Sequence, residues 1–169
     1  MDYLFDCWNK IEERLKGKHL FIFLDFDGTL TPIIDDPDKV RLSAQARKLL
    51  KALSERPGYK LAIISGRALK DIRKRAGLNN IVYAGNHGLE IEGPGVDFKS
   101  LLPPGYKLTK RRIKDELKRK ISLIPGAFLE DKGASLSLHY RKVNKKQAPK
   151  IKTIFNETLK PYLAQGKVR

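Results

Sequence analysis

The stretch Leu20-Phe21-Ile22-Phe23-Leu24-Asp25-Phe26-Asp27-Gly28-Thr29-Leu30 places five apolar residues directly before two carboxylates and a glycine. An apolar run of that length bounded by a turn signal predicts a buried strand, and Asp25 and Asp27 then leave its carboxyl end together. Residues i and i+2 of a strand point to one face, so the two side chains converge if the extended geometry persists. Carboxylates paired at the end of a buried strand are costly unless a metal, a proton or a ligand compensates them. Ligands of open α/β sheets bind at that edge. An ordinary acidic turn is the alternative. A calcium loop is excluded, because Leu30 stands where its glycine belongs and the other ligands are missing.

Working outward, Leu4, Cys7, Trp8, Ile11 and Leu15 recur at helical spacing and predict an amphipathic helix over Tyr3–Leu15 that stops near Gly17. After the acidic turn comes a loop rich in Pro and Asp, Thr31–Asp38, and then Ser43 as N-cap of a helix bearing Ala46, Leu49, Leu50 and Leu53. Lys60–Ile64 reads as a second strand, Ser65-Gly66-Arg67 as a turn, Ala68–Ala76 as a helix and Ile81–Ala84 as a third strand. This β-α-β-α-β order predicts a parallel sheet. From Leu89 the pattern alternates around Gly93-Pro94-Gly95, which predicts a hairpin and the start of antiparallel structure, with a domain boundary near residues 92–100. Beyond it lie a basic helix with the stripe Ile113, Leu117, Ile121 and Ile124, two strands at Phe128–Asp131 and Ser135–Tyr140, and a last helix carrying Ile151, Ile154, Phe155, Leu159 and Tyr162.

The 169 residues carry a net charge of +16, distributed as +3 over residues 1–100 and +13 over 101–169. Such asymmetry suits a unit that attracts an anionic ligand, and equally a solvated lysine-rich face. Nucleic acid is disfavoured as the partner: in residues 107–146 and their approach only Tyr106, Phe128 and Tyr140 interleave the basic residues, with no base-reading motif. The longest apolar run is too short to span a bilayer, and Asp2 and Asp6 precede it without a basic region, so the expectation is a soluble, cytoplasmic protein without a membrane partner. The single cysteine, Cys7, excludes an intramolecular disulfide and reads as a buried thiol.

A carboxylate can attack phosphorus while a neighbour handles the proton of the leaving oxygen, and that is chemistry Asp25 and Asp27 are equipped for. At the second strand's end, Ser65 and the Gly66 amide can grip a phosphoryl oxygen, or Ser65 can simply cap the next helix. Glu130 and Lys132, two apart on one strand, project an acceptor and a donor from one face, or form a surface ion pair. Arg67 and Arg141 present planar forks of donors for anions, His87, which follows Asn86 at the sheet edge, reads as a hydrogen-bonding group or as a structural histidine of a Gly-flanked turn, and His139 reads as a structural histidine or a ligand.

The run Asp25-Phe26-Asp27-Gly28-Thr29 resembles motif one of the haloacid dehalogenase (HAD) superfamily of phosphotransferases, and Ser65 resembles its motif two. Within it, Asp27–Ile33, Ala84–Glu90 and Glu130–Arg141 resemble segments of the trehalose-6-phosphate phosphatases, so that the likeness spans roughly residues 20–165. The resemblance implies a Rossmann-like HAD core with an incomplete parallel sheet over residues 1–92 and an α+β C2-type cap over 93–169, incomplete at its end. It implies Asp25 as nucleophile, Asp27 as acid/base, Mg²⁺ on the Asp25 carboxylate and the Asp27 carbonyl, and substrate contacts from Phe26, Thr29, Ser65, Gly66, Arg67, Asn86, His87, Glu130, Lys132 and Arg141. The substrate expected is trehalose 6-phosphate, with another sugar phosphate, or binding without turnover, as alternatives. The family's late lysine and acidic cluster have no counterpart after the cap segment, so the expectation is a truncated chain, open at one sheet edge unless a further segment or self-association covers it.

Overall fold

The structure, a computed structural model, describes residues 3–34 and 36–168, so Asp2, and Asp35 of the Thr31–Asp38 loop, lie outside it. Two compact units follow one another, Met1–Lys99 and Ser100–Arg169. In the first, a 3-10 turn at Leu4–Cys7 leads into α1 (Trp8–Leu15), so the expected helix starts later than its apolar spacing implied. Phe5 and Trp8 are exposed and Cys7 is half-buried rather than buried, and no residue of α1 is fully buried, so the amphipathic pattern overstated how far this segment is covered.

Next come β1 (Leu20–Asp25), α2 (Ala44–Ser54), β2 (Tyr59–Ile64), α3 (Leu69–Ala76), β3 (Val82–Gly85), β4 (Glu90–Gly93) and β5 (Val96–Lys99). The Ser43 hydroxyl caps α2 by accepting from the Ala46 amide at 3.1 Å, satisfying one of the donors that a helix start leaves orphaned. The strands form one sheet in the order β1-β2-β3-β4-β5, the first three parallel and the last two antiparallel. The expected parallel sheet is therefore mixed. The β4–β5 hairpin extends the same sheet instead of opening the second unit, because Tyr83, Ala84 and Gly85 still offer β3's free edge to Glu92, Ile91 and Glu90.

The core lies on one face of this sheet. Ile22 and Leu24 of β1, Leu61 and Ile63 of β2 and Tyr83 of β3 are register neighbours, and Leu50 of α2 with Leu69, Ile72 and Ala76 of α3 packs over them. The apolar run of β1 predicted a buried strand. Instead β1 is the sheet's edge and alternates half-buried with exposed: Phe21 and Phe23 stack at 4.6 Å between centroids and remain 48% and 62% exposed. An exposed aromatic pair on an edge strand is an association hazard. Replacing both with threonine should lower binding of a hydrophobic dye and self-association on a sizing column. The urea midpoint should hardly move, within about 0.5 kcal/mol per site, since exposed side chains lose little packing.

The second unit contains α4 (Tyr106–Ile121), β6 (Phe128–Asp131), β7 (Leu136–His139) and α5 (Ala148–Ala164). Ile113, Leu117 and Ile121 are buried on α4, as the stripe predicted, and Ile124, Val143 and Ile151 form a small core to which Leu138 and Ile154 contribute. β6 and β7 make a two-stranded antiparallel sheet. Some of the unit's positive charge is internally engaged: Lys110 and Lys114 both donate to the Asp131 carboxylate, and Lys120 reaches Glu116 and the buried Thr158 hydroxyl. Among the described residues, no helix is long and apolar enough to cross a membrane.

Candidate active site

The alternation of β1 continues one residue past its end: Phe26 is fully buried, while Asp25 and Asp27 on either side of it are exposed. Burying Phe26 in the core is what presents both carboxylates at the sheet's carboxyl edge. The turn is then closed by its own backbone. The Phe26 carbonyl accepts from the Leu30 and Thr31 amides and from the Thr31 hydroxyl, and the Gly28 amide donates back to the Thr31 carbonyl at 2.8 Å. Gly28 takes φ 91°, a region that favours glycine. The Thr29 hydroxyl donates to Asp25 at 3.3 Å.

Asp27 has a partner that the sequence did not disclose. Arg67, in the turn after β2, grips it with two parallel bonds, Nε to Oδ2 at 2.9 Å and Nη2 to Oδ1 at 2.7 Å. Its remaining nitrogen, Nη1, reaches Asp71 at 3.2 Å, and Asp71 in turn accepts from Arg75 Nε at 2.7 Å. The spacing Arg67-x-x-x-Asp71-x-x-x-Arg75 puts Asp71 and Arg75 on one flank of α3 with Arg67 in the turn before it, a signal already present in the sequence. Burial works against the Arg67 charge, but the hydrogen bonds and attraction of Asp27, then Asp71, outweigh it and push its pKa up. Burial likewise opposes ionisation of Asp71, and the two arginines, Arg75 first, overcome it and hold that carboxyl below the ordinary range.

Ser65 is buried, with its hydroxyl accepting from the Arg67 amide at 3.1 Å and lying 3.5 Å from Asp27 Oδ2. It thus stabilises its own turn and faces the acidic loop at once. The third strand's end locks onto this turn: the Asn86 amide donates to the Arg67 carbonyl at 2.7 Å and the His87 amide to the Ser65 carbonyl at 3.1 Å. Asn86 and His87 both adopt left-handed backbone, φ 51° and 57°, costly for residues with side chains and concentrated at functional sites. The His87 ring sits against Gly66, where a Cβ would fall 2.5 Å from its Cε1, so Gly66 is required for that close approach. Asn86, fully buried, donates its side-chain amide to Glu90.

The first unit therefore gathers Asp25, Phe26, Asp27, Thr29, Ser65, Gly66, Arg67, Asn86 and His87 at the carboxyl ends of β1, β2 and β3. Glu130, Lys132 and Arg141 belong to the second unit: the Lys132 ammonium lies 3.8 Å from the Glu130 carboxylate and Arg141 follows β7. As for Mg²⁺, Asp25 is an exposed carboxylate with one hydroxyl donor in contact, which suits a cation that takes one or two carboxylates and retains several waters. Among the described residues, no three His, Cys, Asp or Glu side chains are grouped to hold a metal.

Residues 23–167 match the sequence profile of the family described as trehalose-phosphatase. The chain is 32% identical over 175 residues to trehalose-phosphate phosphatase B of Arabidopsis thaliana, covering 96% of this chain and 46% of that protein. It is 39% identical over 134 residues to the trehalose-phosphate phosphatase of Mycolicibacterium paratuberculosis, covering 76% and 33% respectively. The chain thus spans less than half the length of both relatives. Among solved structures, the C-terminal domain of the Candida albicans trehalose-6-phosphate phosphatase superposes with a TM-score of 0.73 at 26% identity, over 94% of this chain and 55% of that one.

Proposed function

The chain belongs to the trehalose-phosphatase family of the haloacid dehalogenase superfamily, and from that premise we propose that it acts as a Mg²⁺-dependent phosphomonoesterase on trehalose 6-phosphate. The observation that carries this reading is the exposed Asp25 at the end of β1, beside an Asp27 bound to Arg67 and faced by Ser65. In this reading the first unit is the catalytic core and the second a cap. An Asp25 oxygen attacks phosphorus, the bond from phosphorus to the sugar oxygen breaks, and Asp27 gives that oxygen its proton, releasing trehalose. Asp27 then takes a proton from water, whose oxygen attacks the phosphorus of the aspartyl phosphate and frees phosphate and Asp25.

Arg67 occupies both oxygens of Asp27, so Asp27 serves as an acid after Arg67 gives one of them up, and the freed guanidinium has a phosphoryl group to turn to. The Ser65 hydroxyl, the Gly66 amide and the Thr29 hydroxyl are assigned to the phosphoryl group and its neighbouring carboxylate. Phe26 contributes through its backbone, its ring being buried. His87, with Glu130, Lys132 and Arg141 of the second unit, is assigned to the sugar, while the fully buried Asn86 contributes by holding the turn through Glu90 and the Arg67 carbonyl. When bound on the Asp25 carboxylate and the Asp27 carbonyl, Mg²⁺ supplies positive charge that relieves repulsion between the nucleophile and a phosphate dianion.

The test is phosphate release by the 169-residue chain from a panel of trehalose 6-phosphate, sucrose phosphate, glucose 6-phosphate and mannose 6-phosphate, with Mg²⁺ and with EDTA. The expected outcome is release from trehalose 6-phosphate at least about ten-fold faster than from the others, abolished by EDTA; equal rates across the panel would refute the substrate assignment. A second reading, binding without turnover, is favoured by the two-pronged Arg67–Asp27 pair, which occupies the acid. Affinity for trehalose 6-phosphate without release at any Mg²⁺ concentration would establish it.

A further inference from the structure

The β6–β7 hairpin has two faces of different character. Leu129, Asp131, Leu136 and Leu138 share one, on which Leu138 packs into the small core and Asp131 is held by Lys110 and Lys114 of α4. Phe128, Glu130, Ser137 and His139 share the other, by the same register and the alternation of strand side chains. On that second face His139 is doubly constrained. Its ring stacks on Phe128, the residue directly opposite, with centroids 4.6 Å apart and planes 11° from parallel. Its Nε2 lies 2.7 Å from Oε2 of Glu130, its diagonal neighbour.

A carboxylate accepts and does not donate, so Nε2 carries the proton and the tautomer is set by Glu130. Phe128 fixes the plane of the imidazole and the imidazole fixes the carboxylate. Lys132, 12% exposed, brings its ammonium within 3.8 Å of the same Oε2. An exposed glutamate on a strand ordinarily samples several rotamers, and ordering it at the moment of binding costs entropy. Here that ordering is already in place. The imidazole bonds Oε2 and the ammonium, too far to donate, adds attraction at the same atom, so the contacts that orient the carboxylate fall on one of its oxygens.

We propose that His139 is a positioning residue for sugar recognition, holding the Glu130 carboxylate in one orientation, from the Phe128 platform, so that it meets sugar hydroxyls without further ordering. This rests on the reading of the chain as a sugar-phosphate phosphatase, and the experiment separates the two. Calorimetric titration of trehalose 6-phosphate, and separately of inorganic phosphate, is compared for the full chain and for His139→Phe and His139→Gln. Phenylalanine keeps the stack and removes the donor; glutamine restores a donor near the Nε2 position.

His139→Phe should bind trehalose 6-phosphate about ten-fold more weakly, about what losing one hydrogen bond to a charged acceptor does. His139→Gln should stay within about three-fold of the parent, and all three chains should bind inorganic phosphate alike. Unaltered affinity in His139→Phe overturns the positioning role. Equal loss in both variants also overturns it, since the imidazole then touches the sugar itself, and a parallel loss of phosphate binding overturns it in favour of general structural damage. If the parent binds neither ligand, the sugar-phosphate reading fails first and the inference falls with it. Where His139→Phe lacks a native melting transition, His139→Ala takes its place under the same criteria.

Discussion

Asp25→Asn should abolish Mg²⁺-dependent phosphate release while leaving the fold intact. Asparagine has the shape of aspartate and keeps an oxygen to accept from Thr29, whose bond to Asp25 at 3.3 Å is already long. Asp25 is exposed, so the urea midpoint should stay within about 0.5 kcal/mol of the parent. The chemistry is another matter, because a neutral amide oxygen is a poor nucleophile toward phosphorus. Removing a covalent nucleophile elsewhere typically costs a factor of about 10⁴ or more in turnover, equivalent to about 5 kcal/mol of transition-state stabilisation. Incubation with labelled substrate followed by acid quench should trap a base-labile phosphoryl group on the parent chain and none on the variant. Undiminished release by Asp25→Asn would remove Asp25 from the mechanism and the aspartyl-phosphate pathway with it.

Arg75→Met should produce the largest loss of stability of any polar substitution in the first unit. Arg75 is 5% exposed and spends its donors locally: Nε on Asp71 at 2.7 Å, Nη1 on the carbonyls of Asp38 and Val40 at 2.9 and 3.1 Å, and Nη2 on the Asp38 carboxylate at 3.2 Å. Methionine preserves much of the stem's packing but removes all four bonds at once, while Arg41 still donates to both carbonyls and Arg67 to Asp71, so the expected cost is about 1–3 kcal/mol in urea denaturation. The tie matters to the site because Asp71 also holds Arg67, the partner of Asp27.

The same network makes stability depend on pH. Asp71 has a folded-state pKa below the ordinary 3.8, so its contribution is fully present above that value and is lost as pH falls through the lower folded one. Asp131 behaves likewise: burial opposes its ionisation, and Lys110, Lys114 and the Gly133 amide more than offset it, holding the carboxyl well below the usual range. The parent should therefore lose stability below about pH 4, and Arg75→Met should show a shallower acid limb, its Asp71 having one cation fewer. An acid limb as steep as the parent's would separate Asp71 from this linkage.

Much of both units was legible because their signals are local. The Ser43 cap, the apolar stripe of α4 and the strand–turn–helix order around Asp25 and Ser65 depend on residues within a few positions of one another, and each appears where its spacing placed it. The edge position of β1 was not legible. Leu20–Leu24 has the composition of a strand covered on both faces, and the chain's local pattern holds nothing about which neighbours a strand finds. The hairpin after Leu89 was recognised as antiparallel, yet its pairing partner, β3, decides that the sheet is mixed.

The candidate site divides along the same line. Asp25, Asp27, Ser65 and Glu130 stood out in the sequence because a carboxylate pair after an apolar run, a Ser-Gly turn and a Glu-x-Lys strand are short-range patterns. Their partners were hidden, since Arg67 meets Asp27 across forty residues and His139 meets Glu130 only through strand pairing. By itself the sequence determined the elements, the acidic turn and the family, all of which rest on local stereochemistry and residue identity. Tertiary structure alone decided that Arg67 clamps Asp27, that Arg75 is buried and that Phe21 and Phe23 are not, because burial and ion pairing belong to three-dimensional neighbours that no local periodicity encodes.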